Sequence, residues 1–309
     1  MAAPIESSSI LPDAPARPFW LTPASYWLPA HYPVSAWTSH APFAAWLTDT
    51  LRPSEIVELG THFGFSCFAF AEAARRLGMA TTIHALDSWK GDDHAGFYSS
   101  DVYEYVRTTA SADYPDSVRL ERGYFHESRR RFGDGFSDVL HIDGRHGYED
   151  VREDYSDWIG VVRDGGVVLF HDIAERENGF GVWRLWEELA EPGRSFTFHH
   201  GHGLGVLAVG TVTDGRLGEL FTADETTADR VRADFVRLGE RVQRQAWLES
   251  LPAELEEVWA EVRQRAAHEA ALEEALQGSS AHIAELKSST SWRVTAPLRA
   301  AGRVVHRRR

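Results

Sequence analysis

The 309-residue sequence predicts an open α/β fold, a mostly parallel seven-stranded sheet with one antiparallel strand, followed by a C-terminal helical stalk. Three observations predict it. Short β-branched runs alternate with amphipathic stretches from Glu55 to about Gly210. Two of these runs, Val139-Leu-His-Ile-Asp143 and Gly166-Val-Val-Leu-Phe-His-Asp172, end in an acid, and open α/β sheets bind ligands beyond the carboxyl ends of their strands. From about Thr226 the composition turns to Glu, Arg, Ala, Leu and Gln, with apolar residues three and four apart, as in a long helix or short coiled coil.

Bulk properties narrow the function. A single cysteine, Cys67, excludes an intramolecular disulfide and a multi-cysteine zinc site, and fits a reducing compartment. No apolar run approaches the length of a membrane span, and the N-terminus has no basic region followed by a hydrophobic one, so a cytoplasmic protein is expected. The net charge of −14 argues against nucleic-acid binding over the whole surface. It hides an asymmetry, because the segment from Ser288 to Arg309 has six arginines and no acid, leaving −20 on the remainder.

Taken in order, residues 1–50 form an aromatic and proline-rich lid or apron with a helix from Ala41 to Leu51. Its tryptophans suit packing; the alternative is that Trp37 and His40 close over a ligand. Residues 51–224 form the α/β domain. Glu55-Ile-Val-Glu-Leu-Gly-Thr-His-Phe-Gly-Phe-Ser66 reads as a strand, a glycine-bearing turn and the start of a helix running to Leu77. Such a turn lets backbone approach a ligand and aims helix amides at it. Its E-x-G-x-x-x-G spacing departs from the G-x-G-x-x-G of dinucleotide sites, and the acid Glu58 ahead of Gly60 suits a ligand with an ammonium group. The next strand, Thr82 to Asp87, ends in an acid at the distance of a ribose-binding carboxylate.

The polar loop Ser88-Trp-Lys-Gly-Asp-Asp-His-Ala-Gly-Phe-Tyr98 follows, then a helix near Tyr103 to Ala112, a strand at Ser117 to Glu121 and a helix bearing Arg129-Arg-Arg131 as a solvated face. After His146 a helix from Tyr148 to Val162 carries Val151, Tyr155, Trp158 and Val162 as a stripe for the sheet, with Glu149 and Asp150 in its first turn. A further helix with Val182, Leu185, Trp186 and Leu189 on one face precedes two strands, Ser195 to His199 and Leu204 to Gly210. These last strands follow one another directly, which places the antiparallel strand at or near the sheet's edge. Residues 225–287 are the helical or coiled-coil extension, interrupted at Pro252 and Gly278 and suited to homodimerisation. Residues 288–309 are a basic tail, for an anionic membrane face, an acidic partner or neither.

The segments Val57 to Ser66, Leu86 to Tyr98, Leu140-His-Ile-Asp-Gly-Arg-His146, Val168-Leu-Phe-His-Asp172 and Phe180 to Glu188, with Trp37 to Leu47 before them, resemble a bacterial family of class I methyltransferases. That family is often encoded with, or fused to, glycosyltransferases of surface-polysaccharide synthesis. The ending Ser288-Ser-Thr-Ser-Trp-Arg-Val-Thr-Ala-Pro-Leu-Arg299 is similar to a tail in such glycosyltransferase-linked proteins. The resemblance implies a Rossmann-like sheet and S-adenosylmethionine bound by Glu58, Gly60, Thr61, Gly64, Ser66 and Asp87. It also implies O-methylation of a sugar in a glycan or glycosylated metabolite, with glycosyltransferases as partners. More distantly, Asp-Gly-x-His followed by an aspartate at the next strand tip is similar to metal-dependent macrolide-sugar O-methyltransferases. By position Asp143 and Asp172 would be magnesium ligands and His146 the general base, with His171 standing where those enzymes have an acid. Trp89, His94 and His171 are the expected substrate contacts. The alternatives are another reaction on a related fold and a non-catalytic scaffold organising glycosyltransferases at the membrane.

Overall fold

The computed structural model describes residues 17–92 and 96–299. Up to Glu249 the chain forms one compact unit, and from Ser250 a second. His94 and residues 300–309 of the basic tail lie outside the described residues.

The compact unit begins with two 3-10 turns, Pro23–Tyr26 and Ala36–His40, and the helix α1 (Ala41–Leu51). Much of this segment packs into the core. Trp37 is 1 % exposed against Phe70 and His141, and the Trp46 indole donates to the Phe19 carbonyl at 3.1 Å. There follow β1 (Glu55–Leu59), α2 (Phe65–Arg76), β2 (Thr82–Asp87), the small hairpin of β3 (Gly91–Asp92) and β4 (Gly96–Phe97), α3 (Ser100–Asp113) and β5 (Val118–Arg122). The second half comprises α4 (Phe125–Ser128), β6 (Ser137–Ile142), α5 (Tyr148–Trp158), β7 (Val162–His171), α6 (Val182–Leu189), β8 (Ser195–Phe198), β9 (Leu204–Ala208) and α7 (Gly215–Phe221). Beyond them lie α8 (Glu225–Ser288) and α9 (Thr290–Val294).

The seven strands lie in the order β5-β2-β1-β6-β7-β9-β8. The ladders from β5 to β7 are parallel, and β9 runs antiparallel to both of its neighbours. This is a Rossmann-like sheet, with its antiparallel strand one place in from the edge. Strands β6 and β7 are covered on both faces, so they read as continuous apolar runs rather than alternating ones. One core, around Phe43, Trp46, Phe70, Phe198 and Phe235, covers one face; the other, around Trp158, Phe170 and Trp186, covers the opposite face. The chain order reverses between β1 and β6, which opens a crevice at their carboxyl ends.

Several expectations change in three dimensions. The helix expected to be interrupted at Pro252 and Gly278 runs unbroken from Glu225 to Ser288. Proline removes one hydrogen bond and crowds one carbonyl, a local loss that several turns on either side absorb. The first turns of α8 belong to the compact unit, with Val231, Phe235 and Val242 at most 1 % exposed. Gly239 permits this approach, since a Cβ there would lie 2.5 Å from the Ser39 carbonyl oxygen. The three arginines occupy a 3-10 turn, Arg129–Arg131, and Arg129 is no solvated charge: it donates to the carbonyls of Asp157 and Phe132, both at 2.7 Å. The β3–β4 hairpin and α7 were not anticipated. No described helix is long and apolar enough to cross a membrane.

Candidate active site

Two backbone bonds join the tips of β1, β2 and β6: Gly60 N–H donates to the Leu86 carbonyl at 2.9 Å, and Asp143 N–H to the Leu59 carbonyl at 2.8 Å. Gly60 has φ +94°, and a Cβ there would fall 1.9 Å from the Asp143 carbonyl oxygen, so only glycine lets the turn meet the strand tip. Asp87 then fixes the turn. Its Oδ2 accepts from the backbone N–H of Thr61 at 3.0 Å and of His62 at 2.9 Å, while Oδ1 accepts from Trp89 N–H at 2.7 Å.

Beyond these tips lies a cleft of about 790 Å³, within the range of small-molecule and cofactor sites. Gly60, Thr61, Ser66 and Asp87 line it, and so do Asp143, His146, His171 and Asp172. Glu58 stands behind the wall at 1 % exposure, where its Oε1 accepts from the Ser66 hydroxyl at 2.5 Å and faces His141 Nδ1 at 3.1 Å. Its Oε2, the Thr61 hydroxyl and the Trp37 indole N–H are buried without a partner among the described residues, and Thr61 and Trp37 line the cleft. Buried polar groups of this kind call for a ligand or water. Gly64 lies outside the lining and starts α2 in a left-handed conformation, φ +84°.

Asp143, His146, His171 and Asp172 form one cluster. His146 Nε2 lies 2.9 Å from Asp172 Oδ2 and 3.9 Å from Asp143 Oδ1, and its ring stacks on Phe180 at 4.5 Å and 7°. His171 Nδ1 is 3.2 Å from Asp143 Oδ1 and 3.3 Å from Asp172 Oδ1, and its Nε2 is 3.1 Å from the Gly201 carbonyl. Both His171 nitrogens therefore face acceptors, which an imidazolium satisfies and a neutral ring does not. Burial pulls this ring toward neutrality, but the two aspartates outweigh it and raise its pKa to about 10. Burial likewise lowers and the aspartates raise His146, with the net result about 9. Burial raises the two aspartates, but the histidines win: Asp143 ends well below the usual carboxylate range and Asp172 at about 2.

The donor atoms of Asp143, His146 and Asp172 lie within 4.8 Å of one another. Two carboxylates and an imidazole fit a divalent cation, with His171 as a hydrogen-bond partner rather than a ligand. Magnesium favours the oxygens; the nitrogen is better matched to manganese, iron or zinc.

Two of the expected substrate contacts, Trp89 and His171, differ in how they stand to the cleft. Trp89 is 2 % exposed and turned inward, its indole donating to the His62 carbonyl at 3.0 Å, so it braces the turn instead of facing the cleft. His171 reaches the cleft as the partner of the aspartates. Other groups were missed. His62, stacked on Tyr98 at 4.8 Å, and Phe125 line the cleft, as do Asp150, Glu153, Asp154 and Asp157 of α5. Those four acids recur at helical spacing, a signal present in the sequence behind the apolar stripe of the same helix.

Residues 57–173 match a family model described as a methyltransferase domain. An uncharacterized protein of Sinorhizobium fredii, y4gI, is 40 % identical over 247 residues, covering 79 % of this chain and 27 % of that protein. The chain thus spans about a quarter of the length of this curated relative. A solved O-methyltransferase from Bacillus cereus, in complex with SAH, is 16 % identical and aligns over 59 % of this chain and 84 % of its own with a TM-score of 0.43. TomG, an O-methyltransferase of Streptomyces achromogenes involved in tomaymycin synthesis and solved with SAM, is 17 % identical, with 59 % and 83 % covered and a TM-score of 0.43.

Proposed function

We propose that residues 57–173, which match the methyltransferase-domain model, transfer a methyl group from S-adenosylmethionine to a hydroxyl of a sugar, in a glycan or a glycosylated metabolite. The observation that carries the reading is that the cluster of Asp143, His146, His171 and Asp172 lines the same cleft as the Gly60 turn. The residues that would hold the cofactor are those of that turn and Asp87, with Glu58 behind them lending negative charge for its ammonium. Its methyl sulfonium is already activated, so the acceptor oxygen needs only to lie in line and to lose its proton.

His146 is the base in this proposal and is therefore not counted among the cation's ligands. Phe180 and Asp172 fix its ring; with its pKa raised to about 9 by the two aspartates, it serves only at alkaline pH or once a cation on those carboxylates offsets their charge, because an imidazolium takes no proton. A divalent cation held by Asp143 and Asp172, magnesium in our reading, would lower the acceptor hydroxyl's pKa when bound. The carboxylates of α5 can accept from sugar hydroxyls, while Phe125 and Phe180 offer flat faces for a ring, which supports a sugar acceptor.

Calorimetric titration with S-adenosylmethionine and S-adenosylhomocysteine, with magnesium and after chelation, tests the premise. Micromolar binding is expected; no binding of either compound would overturn the enzyme reading in favour of a non-catalytic scaffold. With a sugar acceptor in hand, His146→Ala should lower turnover roughly 100-fold or more while leaving cofactor affinity in place. Unchanged turnover would remove His146 as the base.

A further inference from the structure

The helix beyond Ser250 carries a seven-residue repeat that methyl transfer does not use. Leu255, Val262, Leu276 and Ile283 occupy one core position of that repeat, and Leu251, Val258, Leu272 and Leu286 the other. The positions alternate three and four residues apart, so they share one face of α8. That face is open to solvent: Leu255 and Val258 are each 56 % exposed, Leu272 58 % and Leu276 69 %. Three polar residues interrupt the repeat. Arg265 and Glu269 occupy the two core positions at its centre, and Ser279 stands nearer the end.

We propose that this face is covered by the same helix of a second copy of the chain, running antiparallel. An apolar repeat with this spacing can pair in either direction, and the charged pair decides between them. In a parallel, in-register dimer each core residue meets its own copy, which sets Arg265 against Arg265 of the partner subunit and Glu269 against Glu269 of the partner subunit. Turning one helix round pairs the two core positions with each other. The register that sets Leu251 on Ile283 of the partner subunit also sets Val258 on Leu276 of the partner subunit and Val262 on Leu272 of the partner subunit. In that register Arg265 meets Glu269 of the partner subunit, and by symmetry Glu269 meets Arg265 of the partner subunit. Like charges in the seam become two opposite pairs about the two-fold axis. Arg265 is free to turn there: among the described residues it reaches Glu261 of its own helix, at 2.6 Å, with its side chain 79 % exposed. Leu255 then meets Ser279 of the partner subunit, the one small polar mismatch in the seam.

Light scattering and sedimentation of the full chain at micromolar concentration should give a dimer; a monomer throughout would overturn the proposal. Direction is read by cysteine cross-linking, for which the native Cys67 is fully buried and silent. Chains carrying V258C should cross-link only when mixed with chains carrying L276C, whereas V258C cross-linking with itself would make the pair parallel. Arg265→Glu should weaken the dimer at least about ten-fold, and adding Glu269→Arg should restore it to within about three-fold. If the single and double variants associate equally, the Arg265–Glu269 contact is wrong and the register with it. Circular dichroism of each variant separates lost association from lost helix.

Discussion

Asp172 has φ +61°, a backbone region costly for a residue with a β-carbon, and it sits there facing His146 and His171. Strain of about 1–3 kcal/mol at such a residue is tolerated where surrounding contacts hold it, here two imidazoles. Asp154, farther along the cleft, is the opposite case. Burial, then Asp150, Glu153 and Asp157, push its carboxyl up to about 7. A carboxyl whose folded pKa exceeds its unfolded value of about 4 loses stability as pH rises between the two, and regains none above. Asp154→Asn should therefore match the native chain in melting temperature at pH 4 and exceed it at pH 8, by on the order of 1–2 kcal/mol after discounting solvent screening. Equal melting at both pH values would mean that Asp154 is well solvated. At this scale Asp143, His146 and Asp172 were legible, because strand-tip residues declare themselves by position. The bonding of His171 was not, because it depends on the Gly201 carbonyl, 30 residues away in the chain.

The turn between β1 and α2 shows what an element adds. Its glycines were legible as a ligand-binding turn, but not that Gly60 abuts the Asp143 carbonyl or that Asp87 spends three of its acceptor positions on backbone amides. Gly60→Ala places a Cβ where backbone already stands, so the turn and the tip of β6 must separate. S-adenosylmethionine affinity should fall about ten-fold or more, with the helical circular dichroism retained. Undiminished affinity would show that the cofactor does not use this turn. Helix α5 makes a related point. Its apolar stripe was recognised and its acidic face passed over, since periodicity identifies two faces without telling which of them borders a cleft.

For the molecule as a whole, the open question in the sequence was where the compact part stops. Composition changes near residue 225, but Phe235 packs on Phe43 and Phe198 with ring centroids 5.6 and 5.4 Å apart, which ties the start of α8 to the sheet's cover. A chain ending at residue 249 should melt close to the full-length protein, whereas one ending at residue 224 should lose more than about 5 kcal/mol or fail to fold, as expected when several buried side chains go together. A stable 224-residue product would return the boundary to the composition change. By itself the sequence determined the fold class, the order of the seven sheet strands and the acids at the strand tips, because hydrophobic period and terminal residue type are local properties. Only the tertiary structure decided that Glu58 stands behind the cleft wall, that Trp89 turns inward and that both His171 nitrogens face acceptors. Each of these depends on groups brought together from distant parts of the chain, and packing selects them after the local pattern is complete.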